Sequence, residues 1–221
     1  MGYNTTQNNT DPDVIFSAAF EQLNEQGILP FNSLQVSGDG LEDDDYIETA
    51  HFDEEVGGTV LDAYVYYVGE GWYDLQKGYS LIDDTVGLKL GESAWYMSST
   101  PKTVTTAGQV YSQDFKIHTF VEPDTLVASA YPVPFCPNSA NVSWAIGDDT
   151  YIETSRFDEE VGGTMLDPYV YYNGEGWYTP GYQLMAPTDS LAAPGVGFWL
   201  MLSEDPAECS FTEVSPLAKD L

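Results

Sequence analysis

Residues 46–73, YIETAHFDEEVGGTVLDAYVYYVGEGWY, recur as residues 151–178, YIETSRFDEEVGGTMLDPYVYYNGEGWY, with 23 of 28 positions identical at a constant offset of 105. Chance does not produce that agreement, so the chain reads as one unit of roughly 100 residues present twice. The correspondence extends more loosely on both sides. Gly91-Glu-Ser-Ala-Trp-Tyr aligns with Gly195-Val-Gly-Phe-Trp-Leu, and Asp11-Pro-Asp-Val-Ile-Phe-Ser-Ala-Ala-Phe aligns with Glu122-Pro-Asp-Thr-Leu-Val-Ala-Ser-Ala-Tyr. The expected organisation is a polar N-terminal arm over residues 1–10, a first β unit over 11–121 and a second over 122–221.

The upstream match decides the character of the segment near residue 14. Taken alone, Asp13 to Gln26 has helix signals, with Asp-Pro before it and Gly27 after it. Its counterpart, Thr125 to Tyr131, runs into Pro-Val-Pro and has no room for such a helix. Val14–Phe20 is therefore predicted to be a strand. Aromatic and β-branched runs bounded by Gly, Asp and Pro predict further strands at Tyr46–Phe52, Thr59–Tyr67, Gly71–Asp74, Ser93–Ser98 and Thr103–Tyr111. Gly57-Gly58 and Gly162-Gly163 each join two such runs, which is a hairpin signal. Pro168, where the first copy has Ala63, requires an edge strand or one paired through its other side. The expected fold class is all-β, two tandem antiparallel β-sandwich or small-barrel units arising from internal duplication.

Composition narrows the partners. Among 221 residues, 36 are acidic and 6 basic, a formal charge of −30, while 43% are hydrophobic and 14% aromatic. That apolar content suits a folded chain, and the charge repels itself unless salt or bound cations offset it. Nucleic acid is excluded as a partner because phosphate binding needs clustered Lys and Arg, and the one Arg is Arg156. Membrane insertion is not expected, since no stretch of 18 or more apolar residues occurs. Met1 to Thr10 is polar where a signal peptide would be apolar, so an exported protein would have lost its leader.

The shared Phe-Asp-Glu-Glu-Val-Gly-Gly block places Asp53, Glu54 and Glu55 against Asp158, Glu159 and Glu160. A second acidic cluster precedes each matched strand, Asp43, Asp44 and Asp45 in one copy and Asp148 and Asp149 in the other. Clustered carboxylates on turns are the residue type that Ca²⁺ takes, although neither cluster has EF-hand spacing. Solvated acidic loops that keep the protein soluble are the plainer reading. Catalytic groupings are missing. His51 is matched by Arg156, no Gly-x-Ser-x-Gly, Walker or dinucleotide fingerprint occurs, and Cys136 and Cys209 lack a Cys-x-x-Cys arrangement. Those two cysteines suggest a disulfide, with two buried thiols as the alternative. Of the aromatic residues, Tyr66, Trp72, Tyr73, Tyr171, Trp177 and Tyr178 are candidates for a subunit contact or for stacking on a sugar ring, against core packing.

Gly147-Asp-Asp-Thr-Tyr-Ile, the hairpin after it, Gly174-Glu-Gly-Trp-Tyr and Pro194-Gly-Val-Gly-Phe-Trp, preceded by Leu126-Val-Ala-Ser-Ala-Tyr-Pro-Val-Pro, resemble an uncharacterised repeat of bacterial secreted and cell-surface proteins. In the first copy Leu90-Gly-Glu-Ser-Ala-Trp departs from the Pro-Gly-x-Gly-Phe-Trp form. The resemblance implies an all-β fold and a location outside the cytoplasm, and carries no activity. The expectation is a non-enzymatic extracellular structural protein that self-associates into a filament, sheath or surface layer. The arm Met1–Thr10 and the segment Asp114–Val121 are the segments for strand exchange between copies. A bivalent carbohydrate-binding or adhesive module is the alternative, and adaptation to high salt a third reading of the acidity.

Overall fold

The computed structural model describes residues 2–7, 13–22, 24–36, 40–53, 55–158 and 160–216. It is all-β, with 49% of residues in strands and 3% helical, the latter in 3-10 turns at Phe31–Ser33 and Pro206–Glu208. In the first half the strands are β1 (Gly2–Gln7), β2 (Asp13–Ser17), β3 (Ile28–Pro30), β4 (Gln35–Val36), β5 (Tyr46–Asp53), β6 (Gly58–Tyr67), β7 (Gly71–Asp74), β8 (Ser80–Leu81), β9 (Gly87–Lys89), β10 (Ser93–Met97) and β11 (Val104–Gln109). In the second they are β12 (Phe115–Thr119), β13 (Asp124–Val127), β14 (Val142–Ala145), β15 (Thr150–Asp158), β16 (Gly163–Tyr172), β17 (Gly176–Tyr178), β18 (Phe198–Met201) and β19 (Ser210–Val214).

These strands form antiparallel sheets in the orders β2-β10-β5-β6-β7-β8, β1-β11-β4 and β3-β9, then β13-β18-β15-β16-β17 and β12-β19-β14. The barrel alternative is not formed among the described residues, where none of the sheets closes. Each half carries the same central arrangement: the long hairpin of the repeated block, flanked by β10 and β2 in one half and by β18 and β13 in the other. The segment beginning at Asp114 does not extend the first half. Its strand β12 pairs with β19, from Phe115 opposite Val214 to Thr119 opposite Ser210. The polar arm holds the matching place in the first half, with β1 paired to β11 from Gly2 opposite Gln109 to Gln7 opposite Val104. Both segments expected to exchange between copies are thus paired within their own chain.

The hairpins follow from local chemistry. β5 and β6 are in register from Tyr46 opposite Val65 to Asp53 opposite Gly58. At the tip Gly57 lies at φ +69° and donates to Asp53 O at 2.8 Å; in the second half Gly162 lies at φ +69° and donates to Asp158 O at 2.7 Å. Glycine reaches that left-handed conformation without a Cβ clash. Pro168 sits opposite Glu153 in β16, whose other side is paired to β17 only at Val170–Tyr172. The missing N–H therefore faces the unpaired edge. At the equivalent place in the first half, the Ala63 N–H donates to Gln76 Oε1 at 3.0 Å, and the position corresponding to Gln76 is Gly181.

Alternation along the strands sends one face into a core. In the first half the buried cluster takes Val14, Phe16, Ile47, Tyr64, Trp72, Ala94 and Tyr96 from the large sheet, Leu29 and Leu88 from β3 and β9, and Val104 from β11. The second half gathers Val127, Ile152, Tyr171, Trp177, Phe198 and Leu200 with Phe135, Phe211 and Cys209. The opposite face of β2, with Ile15 and Ser17 fully buried, is covered by the other half of the chain. Gly197 allows that approach: a Cβ there would lie 2.3 Å from Ser93 Cβ, and its N–H donates to Ile15 O at 3.0 Å.

Contacts between the halves are reciprocal. The Ser17 N–H donates to Gly195 O at 3.0 Å, and the Ala128 N–H to Gly91 O at 2.9 Å. Phe16 bridges Val196, and Val127 bridges Glu92. Thr59 Oγ1 donates to Asp124 Oδ2 at 3.0 Å, and Thr164 Oγ1 to Asp13 Oδ2 at 2.7 Å. In each case the two interactions join aligned positions with the halves exchanged, which is the pattern of a two-fold, isologous interface. Each long hairpin reaches across to the first large-sheet strand of the other half.

Candidate functional site

The acidic turns use their carboxylates on their own backbone. Asp53 Oδ1 accepts from the Glu55 N–H at 2.7 Å and the Val56 N–H at 3.0 Å, and Asp158 Oδ1 accepts from Glu160 and Val161 at 3.0 and 3.2 Å. The N–H donors of Val56 and Glu55 hold the Asp53 carboxyl below the usual carboxylate range. Asp158 is held low first by Arg156, whose Nη1 lies 2.9 Å away. Glu54 and Glu159 lie outside the described residues, and Glu55 and Glu160 are exposed. Asp43 Oδ1 accepts from the Val68 N–H at 2.6 Å, and Asp148 Oδ1 accepts from the Asn173 N–H. Asp44 and Asp149 adopt φ of 67° and 59°, a conformation Asp tolerates in turns. The two acidic clusters of each half stand at opposite ends of β5 or β15, roughly 25 Å apart at a strand's rise per residue. They cannot share one ion, and among the described residues no group of three or more His, Cys, Asp or Glu side chains is placed to hold a metal.

Asp45 has a different role from its neighbours. It is buried, and its Oδ2 accepts from the Tyr96 hydroxyl at 2.8 Å and the Glu42 N–H at 2.9 Å, with Lys102 Nζ at 3.7 Å. Burial first, and then the Asp45 carboxylate, push the Tyr96 hydroxyl far above its ordinary range. A second buried polar group joins Glu213 to His118 Nε2 at 2.8 Å, Ser129 Oγ at 2.6 Å and the Ala130 N–H at 2.9 Å. The carboxylate lies between the imidazole and the hydroxyl, so this set ties β12 and β19 to the residues after β13.

The aromatic candidates divide by face. Trp72 and Trp177 are fully buried, Tyr171 is buried, and Tyr66, partly buried, packs against the first core, so these four contribute to the interior. Tyr73 and Tyr178 are half-buried on the other face, each hydroxyl donating to the glutamate three residues earlier, Glu70 and Glu175. Each also meets a neighbouring ring edge-on, Tyr67 at 5.6 Å and Tyr172 at 5.4 Å between centroids. The disulfide expected between Cys136 and Cys209 is not formed: both are free thiols. Cys209 belongs to the second core, while Cys136 Sγ lies 3.8 Å from Thr188 O, so the two serve different surroundings.

A site that sequence reasoning missed lies between the halves. A cavity of about 380 Å³ is lined by Glu48, Leu61, Trp95 and Met97 from one half and by Leu126, Glu153, Leu166 and Trp199 from the other. Glu48 and Glu153, Leu61 and Leu166, and Trp95 and Trp199 are aligned pairs. Glu48 stands directly opposite Trp95 on β10, and Glu153 opposite Trp199 on β18. Both glutamates are half-buried, and desolvation raises both carboxyl pKa values. The shared glutamates and tryptophans were visible in the sequence. Their meeting depends on the pairing of β10 with β5 and on how the halves pack, which no local pattern encodes.

A pH-dependent prediction arises here. A carboxyl whose folded pKa is raised favours folding while protonated, and that contribution is lost as pH rises through the folded value. Glu48→Gln and Glu153→Gln therefore raise Tm near pH 7, and the gain disappears toward pH 4. Thermal unfolding across that range checks it, and a lower Tm for both variants at neutral pH would contradict it.

Comparison with protein-family models, with curated proteins and with solved structures finds no match. No helix among the described residues is long and apolar enough to cross a membrane.

Proposed function

We propose that this chain is a non-enzymatic extracellular structural protein, a self-associating subunit of a surface assembly such as a filament, sheath or surface layer, whose two units derive from one duplicated ancestor. The observation that carries the reading is the outer strand β12. It is paired to β19 on one side only, and it presents Phe115 and Ile117 at 54% and 50% exposure, with Val121 beyond it at 86%. Large apolar side chains beside an unsatisfied strand edge favour addition of a strand from another molecule. With β1 and β12 paired within their own chain, addition at the free edge of β12 is the route of association proposed. The charge of −30 opposes it, so salt or divalent cations at the acidic turns favour assembly by screening.

Electron microscopy and light scattering, with and without millimolar calcium and at low and high salt, test the reading. Ordered polymers are expected at high salt or with calcium. Phe115→Lys with Ile117→Lys is expected to leave a folded monomer in every condition. Wild-type protein that stays monomeric throughout, or polymers unaffected by the double substitution, would overturn it.

A further inference from the structure

We propose that the cavity between the two halves is a binding site for an organic cation with an apolar body, an alkyl- or arylalkylammonium group. Its walls are Trp95, Trp199, Leu61 and Leu166, with Met97 and Leu126, and its ionisable groups are the carboxylates of Glu48 and Glu153. Indole faces attract ammonium groups, the more so where water is excluded, and the aliphatic side chains bury the ligand's apolar part. The volume suits a ligand of small-fragment size.

The carboxylates give the choice of charge. Elsewhere the buried acids are answered: Asp45 by Tyr96 and Lys102, Glu213 by His118, Ser129 and a backbone N–H. Among the described residues Glu48 and Glu153 have no hydrogen-bond or ion-pair partner, and each is placed against an indole and an apolar wall. A partly desolvated acid with no partner costs stability, so two of them in aligned positions on one cavity leave a need that a cation fills. Anionic ligands are repelled by the same pair. A neutral sugar could stack on the indoles, but it would leave the desolvated charges uncompensated.

Calorimetric and tryptophan-fluorescence titrations of the full chain in about 0.15 M salt, with phenethylammonium, 2-phenylethanol and methyl glucoside, decide the point. Phenethylammonium is expected to bind at least tenfold more tightly than the alcohol. Glu48→Gln with Glu153→Gln, checked for folding by circular dichroism, removes that discrimination. Trp95→Phe and Trp199→Phe weaken binding while keeping the preference for the cation. Equal binding of amine and alcohol, preferential binding of the glucoside, no binding of the amine, or amine binding unchanged in the glutamine double variant would each overturn the assignment.

Discussion

Trp177→Ala is expected to lower the free energy of unfolding by about 3–5 kcal/mol, and Trp72→Ala by a similar amount, read from urea denaturation midpoints. Trp177 has no exposed surface, and its ring lies 5.0 Å from that of Trp144 and 5.3 Å from that of Tyr171. Trp72 lies 5.3 Å from Tyr66 in the first core. Among the described residues neither indole N–H finds a hydrogen-bond partner. Tryptophan's contribution here is packing, so phenylalanine, which gives up some volume but also removes an unsatisfied donor, costs less than alanine at both sites. A loss below about 0.5 kcal/mol for Trp177→Ala would mean that these rings are not interior. The same result separates folding from recognition, because glycan binding lost in these variants would follow from unfolding.

Asp45→Ala is expected to cost a comparable amount, about 3–5 kcal/mol, because it strips a buried cation of one of its partners. The Lys102 side chain is 2% exposed; besides Asp45 it has Glu42 Oε2 at 2.9 Å and Gly40 O at 2.5 Å. Tyr96 and the Glu42 N–H lose their acceptor in the same step. Urea unfolding of wild type and variant, with and without a chelator, distinguishes this from a calcium role. If the variant's deficit appears only when calcium is present, Asp45 serves an ion. A deficit independent of calcium places it with Lys102.

What the sequence made legible was local. The strands predicted at Tyr46–Phe52, Thr59–Tyr67, Gly71–Asp74 and Ser93–Ser98 correspond to Tyr46–Asp53, Gly58–Tyr67, Gly71–Asp74 and Ser93–Met97. Period-2 patterning and glycine turns suffice for that. Val14–Phe20 emerged as Asp13–Ser17, a strand chosen over a helix because its counterpart runs into prolines. The allegiance of Phe115–Thr119 was hidden, since a strand's pattern records two faces and not which neighbour it pairs with. The same limit applied to the aromatic residues. Alternation sets Trp72 and Tyr73 on opposite faces, but which face is interior depends on where β11, β3 and β9 lie. Glu48 and Trp95 are separated by nearly half a unit, and their contact appears only after β10 has paired with β5.

The reciprocal hairpin contacts have a consequence for how the chain is made. On the ribosome the first half emerges complete, with Ile15 and Ser17 bare, before the strand that covers them exists. At ordinary rates of synthesis the roughly 105 residues separating equivalent positions take about 5–20 s to appear. For that interval the nascent chain shows the same surface its own second half will claim, and a neighbouring nascent chain carries an identical one. Correct pairing is therefore a contest in time: a slow stretch of translation between the halves favours mispairing between molecules, and rapid completion favours closure within one.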